Sequence, residues 1–133
     1  MKEESALYLE KARWHLANAA TIAAANIPEV AAREAYYAAF HAAECYIFEQ
    51  TGNIAKTHKG VHGEFSRLAK DDPQLPKELL PFLGQAYDYK SLSDYEVGPL
   101  AKIYIDDALD TIQAASRFVD CIAARLQAGS EQK

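Results

Sequence analysis

Long apolar runs are missing from this sequence. No segment reaches the roughly 18 consecutive apolar residues of a membrane span. The opening residues, MKEESALYLEK, hold no apolar leader core. The chain is therefore expected to be cytoplasmic, with no membrane contact. Cysteine is scarce, and neither Cys45 nor Cys121 stands in a C-x-x-C or metal-ligand spacing. Both are expected to be free thiols inside helices, in a reducing compartment. Glycine and proline are few, at 6 and 5, and β-branched runs are absent. That argues against strands and for helices. Positive charge is outnumbered, with 14 Lys and Arg against 19 Asp and Glu, a formal net charge of -5. General attraction to nucleic acid or acidic membranes is excluded. A nucleic-acid contact would need a local basic patch, or one formed on oligomerisation. No Gly-rich phosphate loop, G-x-S-x-G or H-E-x-x-H is present. Neither a cofactor nor a metal is expected.

What is there is alanine and helical periodicity. At 133 residues, half of them apolar, the chain can bury a core as one domain. The expected fold is all-α, an antiparallel up-and-down bundle of four long helices plus one short helix, over residues 1–127. Residues 128–133 are expected as a disordered tail. The first helix spans about Glu3 to Ala25, with Tyr8, Ala12, His15, Ala19 and Ile22 on one apolar face. Asn26-Ile27-Pro28 breaks it, and Pro28 suits the first turn of the next helix. That second helix, to Gln50, is apolar almost all round and should be central. Ala31, Ala35, Ala38 and Ala42 give it one smooth side. Arg33, Tyr37, His41, Glu44 and Phe48 give it one polar-aromatic stripe.

A short helix is expected over Lys59–Lys70, ended by Asp71-Asp72-Pro73. A fourth helix should begin near Pro76, with Pro81 in its early turns as a possible bend. Its apolar face is Leu79, Leu80, Leu83, Ala86 and Tyr87. The fifth, from Pro99 to Gln127, is the cleanest amphipath. Ala101, Tyr104, Ile105, Ala108, Leu109 and Ile112 begin its stripe. Phe118 and Cys121 fall off that stripe, which hints at a second contact surface.

The most polar and aromatic run is AYDYKSLSDY, Ala86 to Tyr95. Helical spacing from Leu83 and Ala86 turns Lys90 toward the core side or its rim, and Asp94 one turn on. Lys90 and Asp94 could form an i, i+4 ion pair or offer a cation to a phosphate. His15, on an apolar face, suits a satisfied core histidine. Arg33, His41 and Glu44 suit either a buried network that fixes helix register or the wall of a cleft. His58 and His62 stand at i, i+4, a possible metal pair if helical. Gly60 and Gly63 argue against a firm helix there, and His58 is expected as a loop or capping residue.

REAYYAAFHAAECYIFEQTG, then KTHKGV, then K-x-x-x-D-Y before a long amphipathic helix, resembles the HEPN superfamily. The nearest branch is small stand-alone HEPN proteins encoded beside minimal nucleotidyltransferases. The likeness covers about Leu7 to Ala124. It implies a homodimer that brings the fourth helices together, and membership in a toxin–antitoxin or regulatory pair with a nucleotidyltransferase partner. That partner in some systems adds AMP to a tyrosine. Many such proteins are metal-independent ribonucleases with an Arg and, after four to six intervening residues, a His. Here Lys90 and Tyr95 occupy those places, and Asp94 precedes Tyr95. In this branch Tyr is usual at the second place, so Lys90 is the departure. Tyr is a poor base near neutral pH, and Lys offers a point charge where Arg forks onto phosphate. The resemblance thus implies Lys90, Asp94 and Tyr95 as the catalytic set, with catalysis degenerate. Arg33, Tyr37, His41 and Tyr87 are expected to bind RNA or a nucleotide at a dimer seam. The alternatives are an active ribonuclease toxin and a bundle binding a small nucleotide-like ligand.

Overall fold

The computed structural model describes residues 1–95 and 102–131, without the side chains of Ser93, Tyr95 and residues 129–131. It is an all-α antiparallel bundle: α1 (Glu3–Ala24), α2 (Pro28–Thr51), α3 (His58–Lys70), α4 (Phe82–Tyr95) and α5 (Ile105–Glu131). No strand occurs among the described residues. Helix α2 is the central element and packs against all four others. Its alanines explain why. Ala31, Ala35, Ala38 and Ala42 are fully buried, and a methyl side chain lets neighbouring backbones approach closely while costing little entropy. Tyr36, Tyr46, Phe65 and Phe118 supply the bulk of the core.

Helix ends follow local chemistry. Pro28 stands in the first turn of α2, where its missing N–H costs nothing. Asn26 takes a left-handed φ of 62° in the turn before it, a conformation asparagine tolerates better than most residues. Gly52, at φ 76°, closes α2 with its N–H on the Phe48 carbonyl at 2.8 Å. Thr57 caps α3: its Oγ1 accepts from the Gly60 N–H at 2.9 Å.

Several sequence expectations are corrected here. His58 is the first residue of α3 and not a loop residue; the Thr57 cap starts the helix early enough to carry it through both glycines. Helix α4 begins at Phe82, not near Pro76. A single 3-10 turn over Lys77–Leu79 precedes it. Pro81 lacks an N–H to continue that turn, and its carbonyl accepts the first bond of α4, from Gln85 N–H at 3.1 Å. Helix α5 begins at Ile105, with 102–104 non-helical; Pro99–Ala101 lie outside the described residues. Asp106 and Asp107 occupy its first turn, where the helix dipole favours acids. Tyr104 and Leu109, expected on the buried stripe, are exposed. Phe118 is fully buried and packs on Phe65 and Phe82, with ring centres at 5.3 and 5.7 Å. It belongs to the core and marks no outer surface. Helix α5 continues to Glu131, past the expected start of the tail at 128.

The α3–α4 connection is held by one carboxylate. Asp72 accepts from the Tyr46 hydroxyl at 2.6 Å, from Arg125 Nε at 2.8 Å and from the Gln74 N–H at 2.9 Å. Burial works to raise this carboxyl, but the bonds from Tyr46, Gln74 and Arg125 outweigh it and hold the group below its ordinary value. Lys77 adds three bonds, to the carbonyls of Ala69, Lys70 and Asp72, and so satisfies the orphan acceptors at the end of α3.

Candidate functional site

Lys90 lies one turn before the end of α4, as spacing from Leu83 and Ala86 predicts, and only 9% of it is exposed. Its ammonium donates to Asp94 Oδ2 at 2.5 Å. The other oxygen of Asp94 takes both Nε and Nη2 of Arg33, at 2.9 and 2.7 Å. Thus Arg33 of α2 and Lys90 of α4 share the carboxylate of Asp94, which lies 61 positions from Arg33. Burial pushes the Asp94 carboxyl up; the Lys90 bond and the Arg33 charge push it down harder and hold it below its ordinary value. Two cations from different helices thus meet at one carboxylate. The Arg33 side chain is 35% exposed and spends two of its five N–H groups here, so its outer donors face solvent.

Aromatic rings flank the lysine. Its Nζ lies 5.9 Å from the ring centres of both Tyr37 and Tyr87. From Tyr37 the rings continue to His15 at 5.5 Å, and from His15 to His41, stacked at 5.2 Å and 14°. Each of these histidines holds a carboxylate through Nδ1: His15 with Glu34, and His41 with Glu44 at 2.7 Å. From Tyr87 the rings continue to Tyr36, His58 and His62, at 5.4, 6.0 and 5.5 Å. The buried Tyr36 hydroxyl bridges His58 Nδ1 at 2.7 Å and His62 Nε2 at 2.9 Å. One hydroxyl has one proton, so it donates to one ring and accepts from the other. All four histidines of the chain therefore meet around α2.

Their environments differ. Burial lowers the His58 pKa from its usual 6.5, and the nearby Lys90 charge lowers it further. His62 is lowered by burial and then by His58. Both rings are held neutral at neutral pH. The Tyr36 hydroxyl is pushed up by burial, then by Tyr87, so it keeps its proton and serves as a fixed donor. Burial likewise pushes the Cys45 thiol up to about 12, which makes it inert as a nucleophile.

Of the residues expected from sequence, Arg33, Asp94 and Lys90 meet directly, with Tyr37 and Tyr87 around them. His41 stands two rings further on. The Tyr95 side chain lies outside the described residues. Sequence analysis missed His15, Glu34, Tyr36, His58 and His62 as members of the same cluster. The i, i+4 pair His58/His62 was the available signal, but it pointed to a metal. Here both rings turn to a tyrosine hydroxyl, and no metal-holding group of three or more His, Cys, Asp or Glu occurs among the described residues. No helix of the described chain is long and apolar enough to cross a membrane.

The arrangement can hold an anion between Arg33 and Lys90 and place flat ring faces beside it. It offers neutral imidazoles nearby. A family model described as the HEPN domain matches residues 5–126. No curated protein matches the chain.

Proposed function

The chain belongs to the HEPN domain family, and on that premise we propose that it is a binding subunit with degenerate catalysis. Arg33 and Lys90 seat a phosphate of RNA or of a nucleotide, and the rings of Tyr37 and Tyr87 take the attached base. It acts as a homodimer and as the partner of a nucleotidyltransferase, in a toxin–antitoxin-like or regulatory pair. One observation carries the phosphate assignment: two cations from different helices converge on the single carboxylate of Asp94. Arg33, with its side chain 35% exposed, keeps N–H groups beyond the two spent on Asp94 and can turn them to an anion. The ring faces beside it suit unpaired bases. Catalysis is degenerate because Lys90, standing where the family has Arg, is tied to Asp94 and lacks the guanidinium fork.

The test is titration with short labelled single-stranded RNA and with AMP. Lys90→Gln and Arg33→Gln each weaken RNA binding about tenfold and lower its salt slope by about one. The RNA stays intact. Binding untouched by both substitutions rejects the site.

A second function, metal-independent ribonuclease, is favoured by His58. The residue is exposed while its ring is partly buried and neutral; with the Tyr36 hydroxyl donating to His62 and accepting from His58 Nδ1, Nε2 of His58 carries the lone pair that could take a proton from a ribose hydroxyl. RNA cleavage abolished by His58→Gln, in protein whose melting is unchanged, selects this function over the first.

A further inference from the structure

His58 and His62 stand one turn apart on the face of α3 that meets α2. Gly60 between them lets that turn seat closely: a Cβ there would come within 3.0 Å of both the Ala55 Cβ and the Thr57 Oγ1. The two rings end on one atom. His58 Nδ1 lies 2.7 Å and His62 Nε2 2.9 Å from the Tyr36 hydroxyl oxygen. Tyr36 is fully buried, His62 half-buried and His58 exposed. An imidazole at the surface is thereby joined to a more enclosed one through a single hydroxyl.

We propose that Tyr36 and His62 form a proton relay behind His58. A proton that reaches His58 at Nε2 releases the one on Nδ1 to the Tyr36 oxygen, and the hydroxyl passes its own proton to His62 Nε2. At His58 one N–H bond forms and one breaks; at Tyr36 one O–H bond forms and one breaks; at His62 one N–H bond forms. His58 ends neutral in its other tautomer, Tyr36 ends as a phenol, and His62 carries the charge. The hydroxyl gives only as it receives, because burial pushes its pKa up and disfavours a phenolate. The surroundings favour this end state. Lys90 of α4 and His41 of α2 oppose a charge on His58, with Glu44 of α2 acting the other way. Asp88 of α4 draws a charge to His62. Tyr87 of α4 faces both imidazoles with its ring, at 6.0 and 5.5 Å. One atom can thus serve both halves of an acid–base reaction: His58 Nε2 accepts a proton in one tautomer and donates it in the other, and no charge builds up beside Lys90. This use in catalysis rests on the ribonuclease function named above; the relay itself belongs to the free chain.

Nitrogen NMR of the histidine side chains in the free chain, followed downward from neutral pH, tests it. His58 should change from the Nδ1–H to the Nε2–H tautomer in step with His62 becoming imidazolium. Tyr36→Phe should abolish that link, and His58 should then go directly from a neutral ring to imidazolium. His62→Gln, at a half-buried position, should do the same without altering the buried tyrosine. A wild-type His58 that becomes imidazolium while His62 stays neutral overturns the relay. So does a tautomer change that survives Tyr36→Phe. Cleavage of RNA is read separately. Cleavage by a chain whose His58 shows no tautomer change removes the relay and keeps His58 as the base; a tautomer change without cleavage keeps the relay and removes its catalytic use.

Discussion

Two carboxylates about 20 Å apart along α2 are built alike and are used differently. Asp72 and Asp94 each accept from an arginine and from a second side chain, and both are held below their ordinary pKa. At Asp72 the second donor is the neutral Tyr46 hydroxyl, and a backbone N–H completes the set. Charge balances there, and the Arg125 side chain is 17% exposed. At Asp94 the second donor is another cation, and the Arg33 side chain is twice as exposed, at 35%. A matched, enclosed carboxylate is a lock: it joins the loop before α4 to α2 and α5. A carboxylate shared by two cations joins α4 to α2 and also lowers the repulsion between Arg33 and Lys90. The proposed phosphate site rests on this second arrangement and not on the first.

The largest expected effect tests the lock. Asp72→Ala leaves the Tyr46 hydroxyl and Arg125 buried without their acceptor, and should cost about 3 kcal/mol in a denaturant melt. RNA affinity per folded molecule should not change. The counterpart at the other end is Asp94→Asn. Lys90 is buried but Arg33 is partly solvated, so the loss in the same melt should be smaller, about 1–2 kcal/mol. RNA binding should tighten, because Arg33 and Lys90 lose their internal competitor. Equal stability losses at the two sites, or weaker RNA binding in Asp94→Asn, would break the contrast.

The difference between these sites was only half visible in the sequence. Helical spacing from Leu83 turned Lys90 inward, and the alanines of α2 marked the central helix. Both depend on the period of a single helix, which sequence carries. Arg33 was placed on a stripe with Tyr37 and His41, but nothing in the chain pairs position 33 with 94. That contact depends on how α2 and α4 are rotated against each other, a property of packing. The histidines show the same limit. His58 and His62 were legible as neighbours, while their shared partner Tyr36 is fixed by the approach of α3 to α2. Helix ends failed where non-helical turns compete. Pro81 reads equally well as a bend or as a start, and only the 3-10 turn before it decides. Phe118 lay off the stripe because α5 meets more than the central helix: its ring packs on Phe65 of α3 and Phe82 of α4.

The smallest expected effect is the one that acidity has on the neutral histidines. His58 and His62 titrate below 6.5 in the folded chain, through burial first, then through Lys90 for His58 and through His58 for His62. Glu44 pulls His58 the other way, and Asp88 does the same to His62, without reversing either. Above 6.5 both states of the chain hold these rings neutral and stability is at its full value. As pH falls through 6.5 the unfolded chain binds protons that the folded chain resists, so stability declines. The two carboxylates cannot cause this step. Their ordinary value is 3.8 and folding lowers it, so their contribution is lost only near and below that pH. Denaturant midpoints between neutral pH and the carboxylate range should therefore fall in the wild type. The fall should be smaller in a His58→Gln, His62→Gln double variant, whose amides can still meet the Tyr36 hydroxyl. Two lysines then sharpen the comparison. Lys90→Met removes a charge that opposes protonation of His58 and should shrink the step. Lys77→Met removes an ammonium spent on carbonyls at the Asp72 end and should lower the midpoint equally at every pH. A step that both substitutions shrink alike would mean that His58 feels the net charge of the bundle and not Lys90 in particular.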